Sequence, residues 1–307
     1  MLELKSLGLK RDRWILRNVD LTFNEGLIYG IIGKSGAGKT TLLKLAAGLL
    51  DATEGTVSFM NQQLIGPSEK LIPGYDDIQL VNQDFALEPY HSVEQNVREK
   101  ILSRHKNDQA ELIDEFLELV ELKHLKKQKA NSLSGGEQQR LAIAGALACE
   151  PKVLLLDEPF VHLDQRLRWK VLNYLRKLNK EMQTTVILVS HDGSEMMGFT
   201  DEIVYLNNGS VKRIGTAAEL YYGPESKEEA ELMGEVNQVK IDGIKCLFRP
   251  NEYRIEKNKG IQVKFLHALD TGLVYFNYFQ TQNGENLLLS GVKPMNEVKH
   301  ISVKKHI

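Results

Sequence analysis

The chain has 307 residues, a formal net charge of −2 and an apolar fraction of 42%, values typical of an ordinary globular protein with enough apolar residues for a large core. The length allows two domains, and the nearly balanced charge excludes the strongly basic class of nucleic-acid-binding proteins. No run of about 18 apolar residues predicts a membrane-spanning helix, and Met1–Lys5 lacks the layout of a signal peptide. The two distant cysteines indicate reduced thiols in a cytoplasmic compartment.

The first third of the chain is organised around one glycine-rich segment. Residues 1–26 alternate apolar and polar positions as short strands do, and Asn24–Gly26 predicts a turn. The continuous apolar run Leu27–Ile32 then predicts a buried strand, and the apolar residues after Thr41 follow the helical period. Between the two lies Gly33–Thr41, which matches the phosphate-loop pattern G-x-x-x-x-G-K-S/T in its strand–loop–helix context.

The phosphate loop predicts a nucleotide site. Its glycines allow successive backbone N–H groups to point into one concavity, and the helix that follows adds its positive end. The side chain of Lys39 can reach the β- and γ-phosphates, and the Thr40 hydroxyl can bind Mg²⁺. We therefore expect the nucleotide to be held by Gly33, Lys34, Ser35, Gly36, Ala37, Gly38, Lys39, Thr40 and Thr41.

Later segments predict an α/β core with a second, β-rich domain. Further apolar runs at 78–81, 153–156 and 184–190 predict buried strands, and helical periods between them predict a three-layer arrangement. We expect an all-helical insertion at about 85–135. Beyond Tyr222–Pro224 the pattern becomes β-rich, so the expected domains are 1–234 and a small, mostly antiparallel barrel at 235–307.

Polar residues at three predicted strand ends supply the remaining chemistry. Asp157 can hold Mg²⁺ directly or through water, and Glu158 can act as general base on the attacking water. Gln83 can contact Mg²⁺ and that water, and His191 can hydrogen-bond the γ-phosphate. A single residue of any of these kinds is more often structural or solvated. Together they predict a nucleotide site because they occur in one chain with the phosphate loop.

The segment Leu133–Arg140 resembles the signature motif of a known family. It matches the LSGGQ-type signature, with Glu137 where glutamine is usual. In combination with the phosphate loop, Gln83, the Asp157–Glu158 pair and His191, all in the family's order, residues 1–225 resemble the ATP-binding cassette (ABC) ATPases.

The resemblance implies ATP and Mg²⁺ as ligands and a homodimer with two equivalent sites. Ser134, Gly135 and Gly136 are expected to contact the γ-phosphate of ATP bound to the opposite subunit, and Asp164 belongs to the loop that follows the acidic pair.

Three positions depart from the family's pattern. Val161 stands where a serine usually contacts the other subunit, and Gly145 stands where arginine is often found. The aromatic residue that stacks on adenine is expected near Lys10, but Trp14 is the only nearby aromatic. Trp14 is interpreted either as the stacking residue or as simple strand packing. None of these departures removes a catalytic group, so an active ATPase is expected.

The tail resembles a particular branch of the family. Leu232–Asn237 and Phe248–Glu252 are similar to the junction and first strands of the oligonucleotide-fold-like (TOBE) domains of importer ATPases. The resemblance implies an importer subunit that works with transmembrane permease subunits and, indirectly, a solute-binding protein. Its expected location is cytoplasmic, peripheral on the inner face of the cell membrane. The junction slightly favours the ferric-iron or polyamine branch.

Two other functions are compatible with parts of the sequence. One is a soluble ABC ATPase of DNA repair or translation, although such chains usually carry a long coiled coil or two cassettes. The other is a regulatory module that binds ATP without hydrolysing it, which the complete set of catalytic residue types disfavours. Aromatic residues at 275–279 could stack on nucleic-acid bases, but core or dimer packing is the preferred interpretation, and no nucleic-acid partner is expected.

Overall fold

The computed structural model describes residues 1–82, 84–101 and 109–303. The chain divides by its internal packing into two units, one made of residues 1–191 and 195–215, the other of residues 192–194 and the part that starts at Thr216. Among the described residues, no helix combines the length and the apolar character that crossing a bilayer requires.

The described residues of the first unit form ten strands and five α-helices. Its strands are β1 (Leu2–Lys10), β2 (Trp14–Phe23), β3 (Ile28–Ile32), β4 (Glu54–Phe59), β5 (Gln62–Gln63), β6 (Ile78–Val81), β7 (Val153–Asp157), β8 (Thr185–Ser190), β9 (Glu202–Asn207) and β10 (Ser210–Gly215). Its helices are α1 (Lys39–Ala46), α2 (Val93–Ile101), α3 (Gln109–Leu119), α4 (Gly135–Ala148) and α5 (Gln165–Met182).

The strands of this unit form two sheets. One is antiparallel with the order β2-β1-β4-β5, and the other has the order β10-β9-β3-β8-β7-β6 and is parallel except for the β10–β9 pair. Every residue of β3, β7 and β8 is buried, as expected for central parallel strands covered on both faces. The core between the sheets includes an edge-to-face pair, Phe23 and Tyr29, with ring centroids 4.9 Å apart.

The central parallel strands bring the functional segments together. The carboxyl ends of parallel strands meet at one edge of a sheet. At that edge, β3 leads into the phosphate loop, β8 into His191 and β7 into Glu158. The strand order therefore makes these segments neighbours although they are far apart in sequence.

The segment predicted as a helical insertion contains α2, α3 and short 3₁₀ turns at Lys123–Leu125 and Ala130–Ser132. Helices α2 and α3 pack against α4. The buried positions Val93, Val97 and Ile101 recur every four residues along α2, so one apolar face of this helix is covered.

The described residues of the second unit form two short α-helices and seven strands. These are α6 (Ala217–Tyr222), α7 (Lys227–Leu232), β11 (Asn237–Ile241), β12 (Ile244–Phe248), β13 (Tyr253–Glu256), β14 (Ile261–Asp270), β15 (Tyr275–Thr281), β16 (Asn286–Gly291) and β17 (His300–Val303). The strands form a two-stranded sheet, β11-β12, and a five-stranded antiparallel sheet, β13-β17-β14-β15-β16. The predicted all-β character of the C-terminal region is confirmed.

One buried arginine ties the helices of the second unit to its strands. Arg249, which follows β12, is only 1% exposed. Its guanidinium donates hydrogen bonds to four carbonyl oxygens and lies 4.1 Å from the centre of the Tyr221 ring. The accepting carbonyls belong to Tyr221, Ala230, Gly234 and Glu235. The packing division at 215/216 therefore lies ahead of the predicted boundary at 234/235, because α6 and α7 group with the β-rich part.

Candidate functional site

Glycine is required at several positions of the phosphate loop, for a different structural reason at Gly33 than at Gly36 and Gly38. A side chain at Gly33 would lie 2.3 Å from the carbonyl oxygen of Leu206 in β9, closer than any carbon can approach. Gly36 and Gly38 have φ angles of 78° and 103°, where residues with side chains are strained. The turn after β9 supports the loop, since the Gly209 N–H donates to the Ala37 carbonyl at 3.1 Å.

Lys39 begins α1 and fills the concavity of the loop. Its side chain is 7% exposed, and its ammonium donates to the carbonyls of Gly33 at 2.7 Å and Lys34 at 3.1 Å. Burial lowers the pKa of Lys39, and the carboxylates of Glu158 and Asp157 oppose that change. The loop thus holds a partly desolvated cation, which is suited to binding an anion.

Asp157 ends β7 and is 3% exposed. Among the described residues, neither of its carboxylate oxygens accepts a hydrogen bond of regular geometry, although the Thr40 hydroxyl is near enough to favour the ionised form. Burial raises the pKa of Asp157, while the hydroxyl of Thr40 and the ammonium of Lys39 oppose the rise. A buried carboxylate without a regular hydrogen bond, close to a threonine hydroxyl, is the set of oxygen donors that Mg²⁺ favours, so these residues fit the ion.

Glu158 is held in an unusual backbone conformation. Its φ angle is 50°, in the left-handed region that glutamate rarely adopts. Two hydrogen bonds fix it there: its N–H donates to the Val189 carbonyl at 3.1 Å, and its carbonyl accepts from the Gln139 amide at 3.1 Å. Its carboxylate lies 3.5 Å from Nδ1 of His191. Glu158 lines the cleft beside the loop, and strained backbone conformations concentrate at functional sites.

Lys39, Thr40 and Glu158 border a cleft of about 560 Å³. The phosphate loop, the start of α1 and Glu158 form one part of its wall. The rest is formed by Arg11, Asp12 and Arg13 of the turn between β1 and β2 and by Ile15 of β2. Sequence reasoning missed these four residues. The only signal for them was the expectation that a base-binding residue lies near Lys10.

Trp14 does not line this cleft. Its ring lies about 6 Å from the charged ends of Lys10 (5.8 Å) and Arg17 (5.9 Å). A side chain at Gly8 would touch the ring at 3.1 Å. Because neighbouring residues of a strand point to opposite faces, the position of Ile15 in the cleft wall directs Trp14 away from it. The geometry favours the strand-packing interpretation of Trp14.

The signature segment lies apart from the cleft wall. Ser134 is the N-cap of α4, Gly135 and Gly136 form its first turn, and none of the three lines the cleft among the described residues. Asp164 caps α5, its carboxylate accepting from the Leu167 N–H at 2.8 Å. Gln83 lies outside the described residues. Within one chain, the structure thus brings together Lys39, Thr40, Asp157, Glu158 and His191 but leaves the signature on another surface.

The sequence and fold match known proteins. The model of the ABC transporter family matches residues 16–161. The spermidine/putrescine import ATP-binding protein PotA of Legionella pneumophila (strain Paris) is 40% identical over 225 residues, which cover 73% of this chain and 61% of the relative. The sulfate/thiosulfate import ATP-binding protein CysA of Bacillus cereus is 38% identical, covering 72% and 63%. The chain thus spans less than two thirds of the length of these two relatives.

Other matches cover a larger share of the relative's length than these two do. CysA of Pseudomonas putida is 34% identical over 80% of this chain and 75% of its own. A dimeric ATP-binding cassette in a post-hydrolysis state, with bound ADP and phosphate, superposes with a TM-score of 0.64 at 33% identity, covering 70% of this chain and 98% of that one. A Clostridium perfringens subunit of the cbiONQ transporter gives 0.60 at 27%, covering 74% and 91%. The predicted fold class is confirmed, and the chain belongs to the family of ABC transporter ATP-binding proteins.

Proposed function

We propose that this protein is the ATP-hydrolysing subunit of an ABC importer. The observation that carries the proposal is that Lys39 and Glu158 line one cleft beside the phosphate loop. The Asp157 carboxylate acts on the charge of Lys39, and Nδ1 of His191 lies 3.5 Å from the Glu158 carboxylate. The names of relatives that are import ATP-binding proteins support the direction of transport.

The proposed chemistry assigns one task to each group. The loop N–H groups and Lys39 bind the phosphates of ATP, and Thr40 and Asp157 hold Mg²⁺. When bound, Mg²⁺ neutralises phosphate charge. Glu158 accepts a proton from the attacking water as its oxygen adds to the γ-phosphorus, and the bond from that phosphorus to the β–γ bridging oxygen breaks to release ADP. His191 donates a hydrogen bond to a γ-phosphate oxygen. Gln83 is proposed to orient the same water, and Asp164 to position the adjoining loop.

The proposed assembly is a homodimer. Since the cleft wall contains no signature residue, Ser134, Gly135 and Gly136 of a second copy would complete each site around the γ-phosphate. A dimeric relative supports this arrangement. ATP binding closes the pair, and hydrolysis with product release reopens it. The motion would act on separate membrane subunits at the inner face of the cell membrane. A solute-binding protein on the other side of the membrane would deliver solute to those subunits.

The proposed solute class is a polyamine, with ferric iron as the other branch that the junction sequence favours. A spermidine/putrescine importer subunit at 40% identity supports the polyamine branch. Cells that lack this chain should lose uptake of labelled spermidine, and unchanged spermidine uptake would remove that assignment without affecting the ATPase proposal.

The ATPase proposal is tested by Glu158→Gln. Without the carboxylate base, phosphate release should fall about 100-fold or more, while Mg²⁺ and ATP should convert the 34.8 kDa chain into a dimer of twice that mass. Colorimetric phosphate release and light scattering measure the two effects. Glu25→Gln, an exposed carboxylate before β3, serves as the control. Normal hydrolysis by the Glu158 variant would show that the base is another group.

A further inference from the structure

The two donors of Ser134 in the signature are already occupied in the single chain. Both donors of Ser134 point at the same oxygen of Glu137: the backbone N–H at 2.8 Å and the hydroxyl at 2.8 Å. In return, the Glu137 N–H donates to the serine hydroxyl oxygen at 3.4 Å. Glutamate and serine thus form a closed capping box at the start of α4.

The carboxylate in this box is firmly ionised. Hydrogen bonds from the backbone and then the hydroxyl of Ser134 lower the pKa of Glu137, and the charges of Arg140 and His124 lower it further. A full negative charge therefore lies at the position where, in the proposed dimer, the γ-phosphate of the partner's ATP has to arrive. A glutamine at this position could close the same box without the charge.

The two acceptors compete for one proton. A serine hydroxyl has a single O–H to donate, so Ser134 cannot bond to Glu137 and to a phosphate oxygen at the same time. Phosphate and carboxylate bound to neighbouring atoms also repel each other, by about 1 kcal/mol in water and more in a closed interface. Closure over ATP therefore requires this carboxylate to leave the serine.

We propose that Glu137 opposes nucleotide-driven closure: its carboxylate occupies the donors of Ser134 in the separate protomer and raises the ATP concentration needed to form the dimer. This inference rests on the proposed homodimer. Glu137 acts through Ser134 and is a positioning residue. The side chain of Glu137 thus sets the ATP concentration at which two copies close into a dimer.

The competing interpretation is that the box only stabilises a helix end. The same chain contains a matched box at the start of α6, where Thr216 donates to Glu219 from its N–H at 2.7 Å and its hydroxyl at 3.0 Å. The Glu219 N–H returns a bond to that hydroxyl at 3.2 Å. Loss of a carboxylate should affect helix stability similarly at the two sites, whereas only the α4 site faces a nucleotide in the proposed dimer.

The experiment compares Glu137→Gln with Glu219→Gln, each combined with Glu158→Gln to prevent turnover. Light scattering during a titration with Mg²⁺ and ATP gives the nucleotide concentration at which half of the protein is dimeric. For the Glu137 variant this midpoint should fall about tenfold, and for the Glu219 variant it should not move. Glu137→Ala, which keeps the serine cap but removes the charge, should shift the midpoint in the same direction.

Ionic strength separates charge from structure. Since salt screens repulsion between charges, the difference between glutamate and glutamine at position 137 should shrink as KCl is raised. An unchanged midpoint for both Glu137 variants, or equal shifts at positions 137 and 219, would overturn the inference while leaving the dimer intact. Absence of any ATP-dependent dimer in the Glu158 variant alone would overturn the proposed function, and this inference with it.

Discussion

Asp157 is the residue at which folding and function make opposite demands. A carboxylate with no regular hydrogen bond in a buried place costs stability, and its raised pKa reflects that cost. The ionised form is disfavoured in the folded chain relative to the unfolded one, so the penalty applies above the folded-state pKa and disappears in acid. A cation bound beside Thr40 would remove the penalty.

Asp157→Asn should therefore stabilise the chain when Mg²⁺ and nucleotide are absent. Its melting temperature should exceed that of the unchanged chain at pH 7.5, because the neutral amide avoids the buried charge. The gain should fall as the pH is lowered through the folded-state pKa, since Asp157 then takes up a proton. Thermal unfolding followed by circular dichroism at a series of pH values measures the trend.

Asp76→Asn, at an exposed carboxylate, provides the control and should show no comparable pH-dependent gain. A lower melting temperature for the Asp157 variant at pH 7.5 would contradict the burial argument.

At the same scale, the sequence could predict those functional residues that lie at the ends of buried strands. Asp157, Glu158 and His191 come directly at or after apolar runs, so their place at the sheet edge could be expected. Arg11, Asp12 and Arg13 could not be found this way, because three polar residues in a turn carry no periodic signal. The bond between Glu137 and Ser134 also needed coordinates, since the signature pattern alone does not show which acceptor the hydroxyl uses.

At the scale of elements, buried apolar runs predicted β3, β7 and β8, but not the grouping of α6 and α7. That grouping depends on Arg249, and an arginine in a sequence is usually expected at the surface. Here its guanidinium supplies donors to four carbonyls at helix ends and the following turn. Carbonyls at helix ends have few partners within the helix, so a single side chain that bonds to four of them organises the start of the second unit.

Arg249→Met should destabilise the second unit by about 3 kcal/mol or more, because it removes several hydrogen bonds from a charged donor in a buried place. Urea unfolding followed by far-ultraviolet circular dichroism measures the change. Binding of a fluorescent ATP analogue should remain, since every partner of Arg249 named above belongs to the second unit. Arg254→Met, at an exposed position of β13, is the matched control. Equal urea midpoints for the two variants would refute the proposed anchoring.

At the scale of the whole molecule, each nucleotide site is proposed to be shared between two copies. A mixing experiment tests the sharing directly. Lys39→Ala damages the phosphate loop, and Ser134→Arg blocks the signature with a bulky cation. In the Glu158→Gln background, neither variant alone should dimerise with ATP.

The mixture of these two variants should form a heterodimer, because the intact loop of one copy meets the intact signature of the other. Light scattering detects the doubled mass, and a mixture without ATP is the control. If loop and signature of the same copy formed the site, both variants and their mixture would stay monomeric.

The ammonium of Lys39, bonded to the carbonyls of its own loop, has a kinetic consequence. The lysine and the Gly209 N–H hold the carbonyls of the loop in place. The conformational entropy of ordering the loop is therefore lost during folding and not during binding. Nucleotide binding would then require only an exchange of acceptors around one ammonium, and in the proposed homodimer the speed of each cycle would be set by the steps in which two copies meet and separate.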